Sequence, residues 1–147
     1  MKHIYTAVLT AVFLMSSPAL QAQEVEFVIQ DAGEVALSEF KWTHRVLVVF
    51  ADSPLDPSFR EQLDLLATRP EALLERDVVV ITDTDPAARS MVRTELRPRG
   101  FGLVIVDKDG RVMLRKPDPW DVREITRAID KTPLRQQEIQ NALHGGG

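Results

Sequence analysis

The sequence predicts an α/β fold in which a central mixed sheet is covered by helices on both faces. Three observations predict this fold. Short, continuous apolar runs recur near residues 48, 80 and 104, as expected of strands that are buried on both faces. The segments between them place apolar residues at helical spacing, and the third run leads into a hairpin turn.

The predicted elements follow in the order strand, helix, strand, helix, hairpin, helix. The strands are expected at 26–30, 45–51, 77–82 and 103–106. The turn residues Asp107 to Gly110 then lead into a further strand around Val112, and a polar helical tail is expected after Pro133. Strands joined by helices run parallel and the two strands of a hairpin run antiparallel, so the predicted sheet is mixed.

The three predicted helices share one starting signal, an aspartate followed by a proline. The pairs are Asp56–Pro57, Asp85–Pro86 and Asp118–Pro119. An aspartate at the N-cap accepts hydrogen bonds from free backbone N–H groups, and a proline at the first helical position lacks an N–H that would be unpaired there anyway. Each pair therefore predicts a helix that begins at its proline.

The first 22 residues have the pattern of a secretory signal peptide. Lys2 precedes an apolar run from Ile4 to Met15, and cleavage is expected after Ala22, with Ala19 as the alternative. We therefore expect the protein to be exported to the periplasm or secreted. Residues 23–147 are expected to form a single domain with its core at about 40–139.

Charge and composition exclude several classes of function. Loss of Lys2 with the leader lowers the basic count from 18 to 17 against 22 acidic residues, a net charge of −5. This balance argues against nucleic acid and anionic membranes as partners. No second apolar run is long enough to insert into a membrane after cleavage. Because the chain has no cysteine, thiol–disulfide exchange and thiol peroxidase activity are excluded.

The predicted order of elements resembles the thioredoxin-like topology. In thioredoxins and peroxiredoxins the reactive cysteine lies just beyond the first core strand, at the start of the first helix. The matching stretch here is 52–58, which offers Ser53 and Asp56 but no sulfur. A serine hydroxyl needs an adjacent base to act as a nucleophile and has no disulfide chemistry. The resemblance to redox enzymes is thus one of fold.

A closer resemblance covers about 40–139. Trp42, the strand from Arg45, the run from Phe101 through the hairpin turn, and the segment 129–138 resemble a family of uncharacterised thioredoxin-like domains sometimes called DUDES domains. That family occurs in bacterial exported proteins and within animal sushi-repeat and coiled-coil matrix proteins. The resemblance implies architecture and export, and it transfers no catalytic residue.

The most specific part of this resemblance is the motif Pro133, Leu134, Arg135 and Glu138. We expect Arg135 and Glu138 to be structural and to pin the tail onto the sheet, by an ion pair or by hydrogen bonds to carbonyl groups at strand ends. Binding of a partner is the alternative role.

A candidate ligand cleft is expected at the carboxyl ends of the parallel strands, where open α/β sheets usually bind ligands. Ser53, Asp56, Asp83 and Arg99 are its predicted lining residues.

Arg99 follows three arginines at four-residue spacing, at positions 89, 93 and 97. We interpret those three as a solvated helix face whose charges suit the helix C-terminus. An anion or an acidic neighbour near them is the alternative.

Neither a metal nor another cofactor is expected. His44 and His144 have no second nitrogen ligand near them in sequence. A dyad of His44 and Ser53 is excluded because the strand between them would separate the side chains by ~20 Å. Asp83 and Asp85, like Asp107 and Asp109, lack the spacing of a calcium loop and are interpreted as capping and turn residues.

Three functions remain open at this point. The first is a non-catalytic binding or assembly module outside the cytoplasm, with an unknown protein or a small anionic ligand as partner. The second is an enzyme that uses carboxylate or hydroxyl groups of the cleft, with Asp56 or Asp83 as base. The third is an envelope or matrix domain that interacts with proteins through its charged surface.

Overall fold

The computed structural model describes residues 26–146, so the predicted signal peptide lies outside the described residues. Within that range the strands are β1 (Ile29–Asp31), β2 (Arg45–Phe50), β3 (Val78–Asp83), β4 (Gly102–Val106) and β5 (Val112–Lys116). The helices are α1 (Pro57–Ala67), α2 (Pro70–Leu74), α3 (Met91–Leu96), α4 (Val122–Asp130) and α5 (Pro133–His144), with short 3-10 helices at Leu37–Phe40 and Pro86–Ala88.

The five strands form one mixed sheet in the order β1-β3-β2-β4-β5. The strands β1 and β3, and β3 and β2, are parallel, whereas β4 is antiparallel to both β2 and β5. The apolar runs near residues 48, 80 and 104 lie side by side, because Val48 pairs with Ile81 on one side and with Val104 on the other. The predicted α/β thioredoxin-like fold is therefore confirmed.

Helices cover both faces of the sheet, as predicted. The side chains of β2 alternate between two buried clusters, and all six of its residues are buried. Leu47 and Val49 pack in the cluster that contains residues of α1 and α4. Val46, Val48 and Phe50 pack in the cluster that contains residues of α3. The continuous apolar run of β2 is thus explained by its central place in the sheet.

The first predicted helix start is confirmed. Asp56 Oδ1 accepts hydrogen bonds from the backbone N–H groups of Ser58 at 2.8 Å and Phe59 at 3.2 Å, and α1 begins at Pro57. The polar tail is also helical from Pro133, where Thr132 is the N-cap of α5.

The second predicted start is confirmed at its cap, but the helix that begins there is short. Asp85 does cap the backbone N–H of Ala87, but it caps only a 3-10 helix, Pro86–Ala88. Arg89 then takes a left-handed conformation with φ of 47°. This breaks the helical path, and α3 begins only after Ser90, whose Oγ accepts from the N–H of Arg93.

The third predicted start lies three residues too early. α4 begins at Val122, with Asp121 as its N-cap and Glu124 completing a capping box. The residue before the cap, Trp120, is held outside the helix by Gln62, whose side-chain amide donates to its C=O at 2.8 Å and accepts from its N–H at 2.9 Å. A tertiary contact therefore overrides the Asp118–Pro119 signal.

Two elements differ from the sequence prediction. The first strand begins at Ile29 rather than at residue 26, because its pairing with β3 starts at Ile29 and Val80. The short helix α2 is an element that the sequence pattern does not predict.

Across residues 26–146, none of the helices combines the length and the apolar character that crossing a membrane requires.

Candidate functional site

The start of α1 is the position at which thioredoxins and peroxiredoxins have their reactive cysteine. Ser53 Oγ accepts a hydrogen bond from the backbone N–H of Leu55 at 3.1 Å, and the Asp56 N–H donates to the Ser53 carbonyl at 3.2 Å. The amide groups that open α1 are bonded to Asp56, as described above. Ser53 and Asp56 therefore hold the loop and the helix start in place, and this stretch contains no thiol.

The carboxylate of Asp83, at the carboxyl end of β3, accepts hydrogen bonds from three residues: Ser90, Arg93 and, at 3.1 Å, the backbone N–H of Asp85. Its carboxylate is 3 % exposed, and its Oδ2 accepts a hydrogen bond from Ser90 Oγ. Its Oδ1 accepts from Arg93 Nε at 3.2 Å and from Arg93 Nη2 at 3.0 Å. Burial acts to raise the pKa of Asp83, but the hydrogen bonds from Arg93 and Ser90 outweigh it, so the pKa lies below the ordinary aspartate value. Asp83 is thus an ionised, fully bonded carboxylate.

Arg93 joins the carboxyl ends of the two central parallel strands. Its Nη2 donates to the carbonyl oxygens of Ala51 at 3.0 Å and of Asp83 at 3.1 Å. Its guanidinium group lies 5.3 Å from the ring centre of Phe50, and its side chain is 11 % exposed. The interpretation of positions 89, 93 and 97 as a solvated helix face is therefore wrong.

Arg89 and Arg97 both lie outside α3 in left-handed conformations, so the four-residue spacing of the arginines does not correspond to one helical stripe. The sequence feature that could have identified Arg93 as a buried partner is Asp83, an aspartate at the end of a buried strand. Such a carboxylate needs a cationic or hydrogen-bonding partner, and the following helix is the nearest source of one.

Asp83 and Arg99, two of the residues predicted to line one cleft, border different grooves. Asp83 borders a groove of about 190 Å³ together with Asp31, Ala32, Gly33, Thr84, Asp85, Ala88 and Ser90. Arg99 borders a groove of about 260 Å³ together with Arg97, Pro98, Gly102, Leu103, Val104, Arg115, Lys116 and Pro117. Neither of these two grooves includes Ser53 or Asp56. The Arg99 groove is called the basic groove below.

A buried charge network lies at the opposite end of the sheet. Arg45, the first residue of β2, has a fully buried side chain. Its Nη1 and Nη2 donate to the two carboxylate oxygens of Glu138 at 3.2 and 3.1 Å. Its Nε lies 3.0 Å from Asp107 Oδ1, and its Nη1 also donates to the carbonyl of Arg76 at 3.0 Å.

Glu138 is the centre of this network. Besides Arg45, it is approached by Lys108 Nζ at 2.8 Å and by Arg135 Nη1 at 3.2 Å. Burial acts to raise the pKa of Glu138, but the hydrogen bonds from Lys108, Arg45 and Arg135 lower it to about 2. Three cations thus converge on one carboxylate, which ties α5 to the turn of the hairpin and to the start of β2.

Asp130, the last residue of α4, is the centre of a second group of ion pairs beside the group around Glu138. Arg76 Nε and Nη2 donate to its two oxygens at 2.8 and 2.9 Å, and Arg135 Nε lies 3.5 Å from its Oδ1. The hydrogen bonds from Arg76 outweigh burial and lower the pKa of Asp130. Arg135 therefore links Asp130 to Glu138, and both residues of the carboxy-terminal motif make ion pairs.

Arg45 is the member of this network that sequence reasoning missed. It opens an otherwise apolar strand, and an arginine at such a position is buried only when it is paired. Its partner Glu138 is 93 residues away, and sequence spacing gives no measure of that distance in space.

The hairpin turn and His44 make local hydrogen bonds. Asp107 accepts at its carbonyl from the N–H of Gly110 at 2.9 Å, and Gly110 has a φ of 85°, which favours glycine. His44 is exposed and its Nδ1 lies 3.1 Å from Thr43 Oγ1. Over the part of the chain that the structure describes, no group of three or more histidine, aspartate or glutamate residues could hold a metal ion.

The family comparison agrees with this architecture. The sequence model of a family described as a domain of unknown function, DUF4174, matches residues 36–138. The predicted resemblance to a thioredoxin-like family of unknown function is therefore confirmed. No curated protein matches the chain significantly.

Similar solved structures are thioredoxins and peroxiredoxins. A chloroplastic thioredoxin z superposes with a TM-score of 0.55 at 22 % identity, covering 74 % of this chain and 96 % of that one. The reduced 2-Cys peroxiredoxin of Plasmodium vivax gives 0.54 at 17 % identity, over 71 % and 85 % of the two chains. Desulfothioredoxin from Desulfovibrio vulgaris Hildenborough gives 0.53 at 20 %, over 73 % and 100 %. At these identities the likeness is one of fold.

Proposed function

Because the chain belongs to the DUF4174 family of domains of unknown function and has a thioredoxin-like fold, we propose that it is a non-catalytic binding or assembly module that acts outside the cytoplasm. The observation that carries the proposal is the start of α1. The scaffold that presents a reactive thiol in thioredoxins is kept, and Ser53 and Asp56 occupy the same loop with their polar atoms bonded to the backbone. A binding module needs the scaffold and not the thiol.

The state of Asp83 supports a module without catalysis. A general base must have an oxygen free to accept a proton from a substrate. Both oxygens of Asp83 accept hydrogen bonds from Ser90 or Arg93, and its pKa is lowered. Asp56 uses Oδ1 as the cap of α1. Asp83 is therefore not placed to serve as a base, whereas the cap bonds of Asp56 use only Oδ1, so Asp56 is tested by substitution below.

The extracytoplasmic location is supported by the sequence of the leader. A basic residue, a 12-residue apolar run and small residues near Ala22 form the pattern that signal peptidase recognises. Mass spectrometry of the protein isolated from the cell envelope should give an amino terminus at Gln23, or at Leu20 for the alternative cleavage. An intact Met1 in the cytoplasmic fraction would contradict export.

A time course separates binding from catalysis. The mature protein is incubated with a small-molecule extract of the envelope, and all species are followed by mass spectrometry. A binding module retains a ligand at no more than one equivalent, and no species accumulates beyond the protein concentration.

Two variants make the result specific. Ser53→Ala removes the hydroxyl, and Asp56→Asn removes the carboxylate while keeping a good helix cap. A product that accumulates over many equivalents with the wild type, and that is lost in either variant, would overturn the proposal in favour of an enzyme.

A further inference from the structure

The basic groove concentrates positive charge in a protein whose net charge is negative. Four of its nine lining residues are cations, Arg97, Arg99, Arg115 and Lys116, and none is acidic. The whole chain has a formal net charge of −4, so this surface is positive because of local placement and not because of composition. Like charges held together in this way favour an anion.

The four cations of the basic groove form no ion pair with a carboxylate among the described residues. Within residues 26–146, none of them has an aspartate or glutamate oxygen within 4.0 Å, whereas Arg45, Arg76, Arg93, Lys108 and Arg135 all do. Those five cations are thus neutralised within the chain, whereas the four cations of the groove face no carboxylate in that range.

The groove is partly preorganised. Arg115 Nη1 donates to the carbonyl of Leu96 at 2.7 Å, at the end of α3, and Lys116 Nζ lies 4.2 Å from the ring centre of Trp120. These contacts fix the cations on β5, while no side-chain hydrogen bond of Arg97 or Arg99 is found among the described residues. A guanidinium group has further donors in a planar fork, which matches carboxylate or phosphate oxygens.

The floor and the volume limit the size of the ligand. The uncharged part of the lining consists of Gly102, Leu103 and Val104 of β4 together with Pro98 and Pro117. The volume of about 260 Å³ is just below the range of about 300–1,000 Å³ for drug-sized ligands. We infer that the basic groove binds a small polyanion that carries carboxylate or phosphate groups. This inference rests on the proposed binding function and names the ligand class.

The experiment is an NMR titration of the mature protein with two probes, citrate for carboxylates and inorganic pyrophosphate for phosphates. At least one probe should give saturable shifts of backbone amide signals, centred on Arg97, Arg99, Arg115 and Lys116. Affinity should fall as salt is raised, since the contact is electrostatic. The probe that binds more tightly identifies the acidic group.

Charge reversal tests the location. The double variant R97E/R99E should weaken binding by about tenfold or more, which corresponds to about 1.4 kcal/mol. The matched control R60E/R111E changes the net charge equally at two exposed arginines outside the groove, and its affinity should stay within about twofold of wild type. If the reversal disturbs folding, the neutral pair R97Q/R99Q should weaken binding in the same direction by a smaller factor.

The inference is overturned if neither probe saturates below about 10 mM, a limit of roughly −3 kcal/mol, or if the groove and control variants bind equally well. Its failure is distinguishable from failure of the proposed function. If the protein retains an envelope ligand stoichiometrically without turnover but binds neither anion, the inference about the basic groove is wrong and the proposed binding function stands. If the protein binds an anion in the groove and converts it to a product, the proposed non-catalytic function is wrong and the inference about the groove stands.

Discussion

Substitution of Glu138 by glutamine tests the charge network that holds α5 on the sheet. The pKa of Glu138 is about 2, against 4.5 for an unperturbed glutamate. This difference corresponds to about 3 kcal/mol of folded-state stabilisation at neutral pH. The side chain is 26 % exposed, so solvent screens part of this amount. We expect Glu138→Gln to lower the free energy of unfolding by about 2–3 kcal/mol.

The pH dependence of the effect has a definite sign. The pKa of Glu138 is lower in the folded than in the unfolded protein, so its contribution is fully present above about pH 4.5 and is lost as the pH falls toward 2. Asp83, whose pKa is also lowered, lies at the opposite end of the sheet and acts in wild type and variant alike. The difference between the two proteins therefore reports on Glu138 and on the network that it shares with Asp130 through Arg135.

The assay is urea unfolding of the mature protein from pH 7 to pH 2.5, followed by circular dichroism. Glu61→Gln is the matched control, because Glu61 is exposed on α1 and such surface changes usually stay within about 0.5 kcal/mol. A loss for Glu138→Gln no larger than that of the control would refute the reasoning. So would a difference from wild type that stays constant between pH 6 and 2.5.

Three further substitutions are checked by the same unfolding assay. Asp83→Asn leaves the guanidinium of Arg93 without its carboxylate and should destabilise by about 3–5 kcal/mol; a loss under about 1 kcal/mol would contradict the buried pair. Ser90→Ala removes the cap of α3 and a hydrogen bond to Asp83, and about 1–2 kcal/mol should be lost. Gln62→Leu leaves the N–H and C=O of Trp120 unpaired, so we expect a loss of about 2–5 kcal/mol, and a neutral result would show that water replaces the amide.

The strands and the first helix were predictable because their signals are local. The run from Val46 to Phe50 is apolar on both faces because β2 lies between β3 and β4, and a central strand has no solvent-facing side. Asp56 and Pro57 act through the next few residues alone, so their sequence predicts the start of α1 correctly.

The misplaced helix starts show the limit of local signals. Asp85 is a true cap, but the conformation of Arg89 ends its turn, and Ser90 provides the cap of α3 while also contacting Asp83. Before α4, Gln62 binds both polar groups of the Trp120 backbone. The start of α4 was thus decided by a contact over 58 residues, and the start of α3 by the backbone at Arg89 and by the contact of Ser90 with the end of β3.

The sites depended even more on distant contacts. Arg45 and Glu138 are 93 residues apart, and Arg93 reaches back to Ala51 over 42 residues. Charge spacing along the chain could indicate that these arginines need partners, but not which carboxylates would supply them. The sequence thus predicted the scaffold and the missing thiol, while the pairing of the charges required the structure.

The central claim is that Asp83, at the carboxyl end of β3, is a paired carboxylate and not a free base. The most direct measurement is an NMR titration of the Asp83 side-chain carboxyl in the folded mature protein. We expect a pKa below the ordinary aspartate value of 3.8, with the carboxylate ionised throughout the physiological range. A carboxyl group that takes up its proton near neutral pH would contradict it and would favour an enzyme.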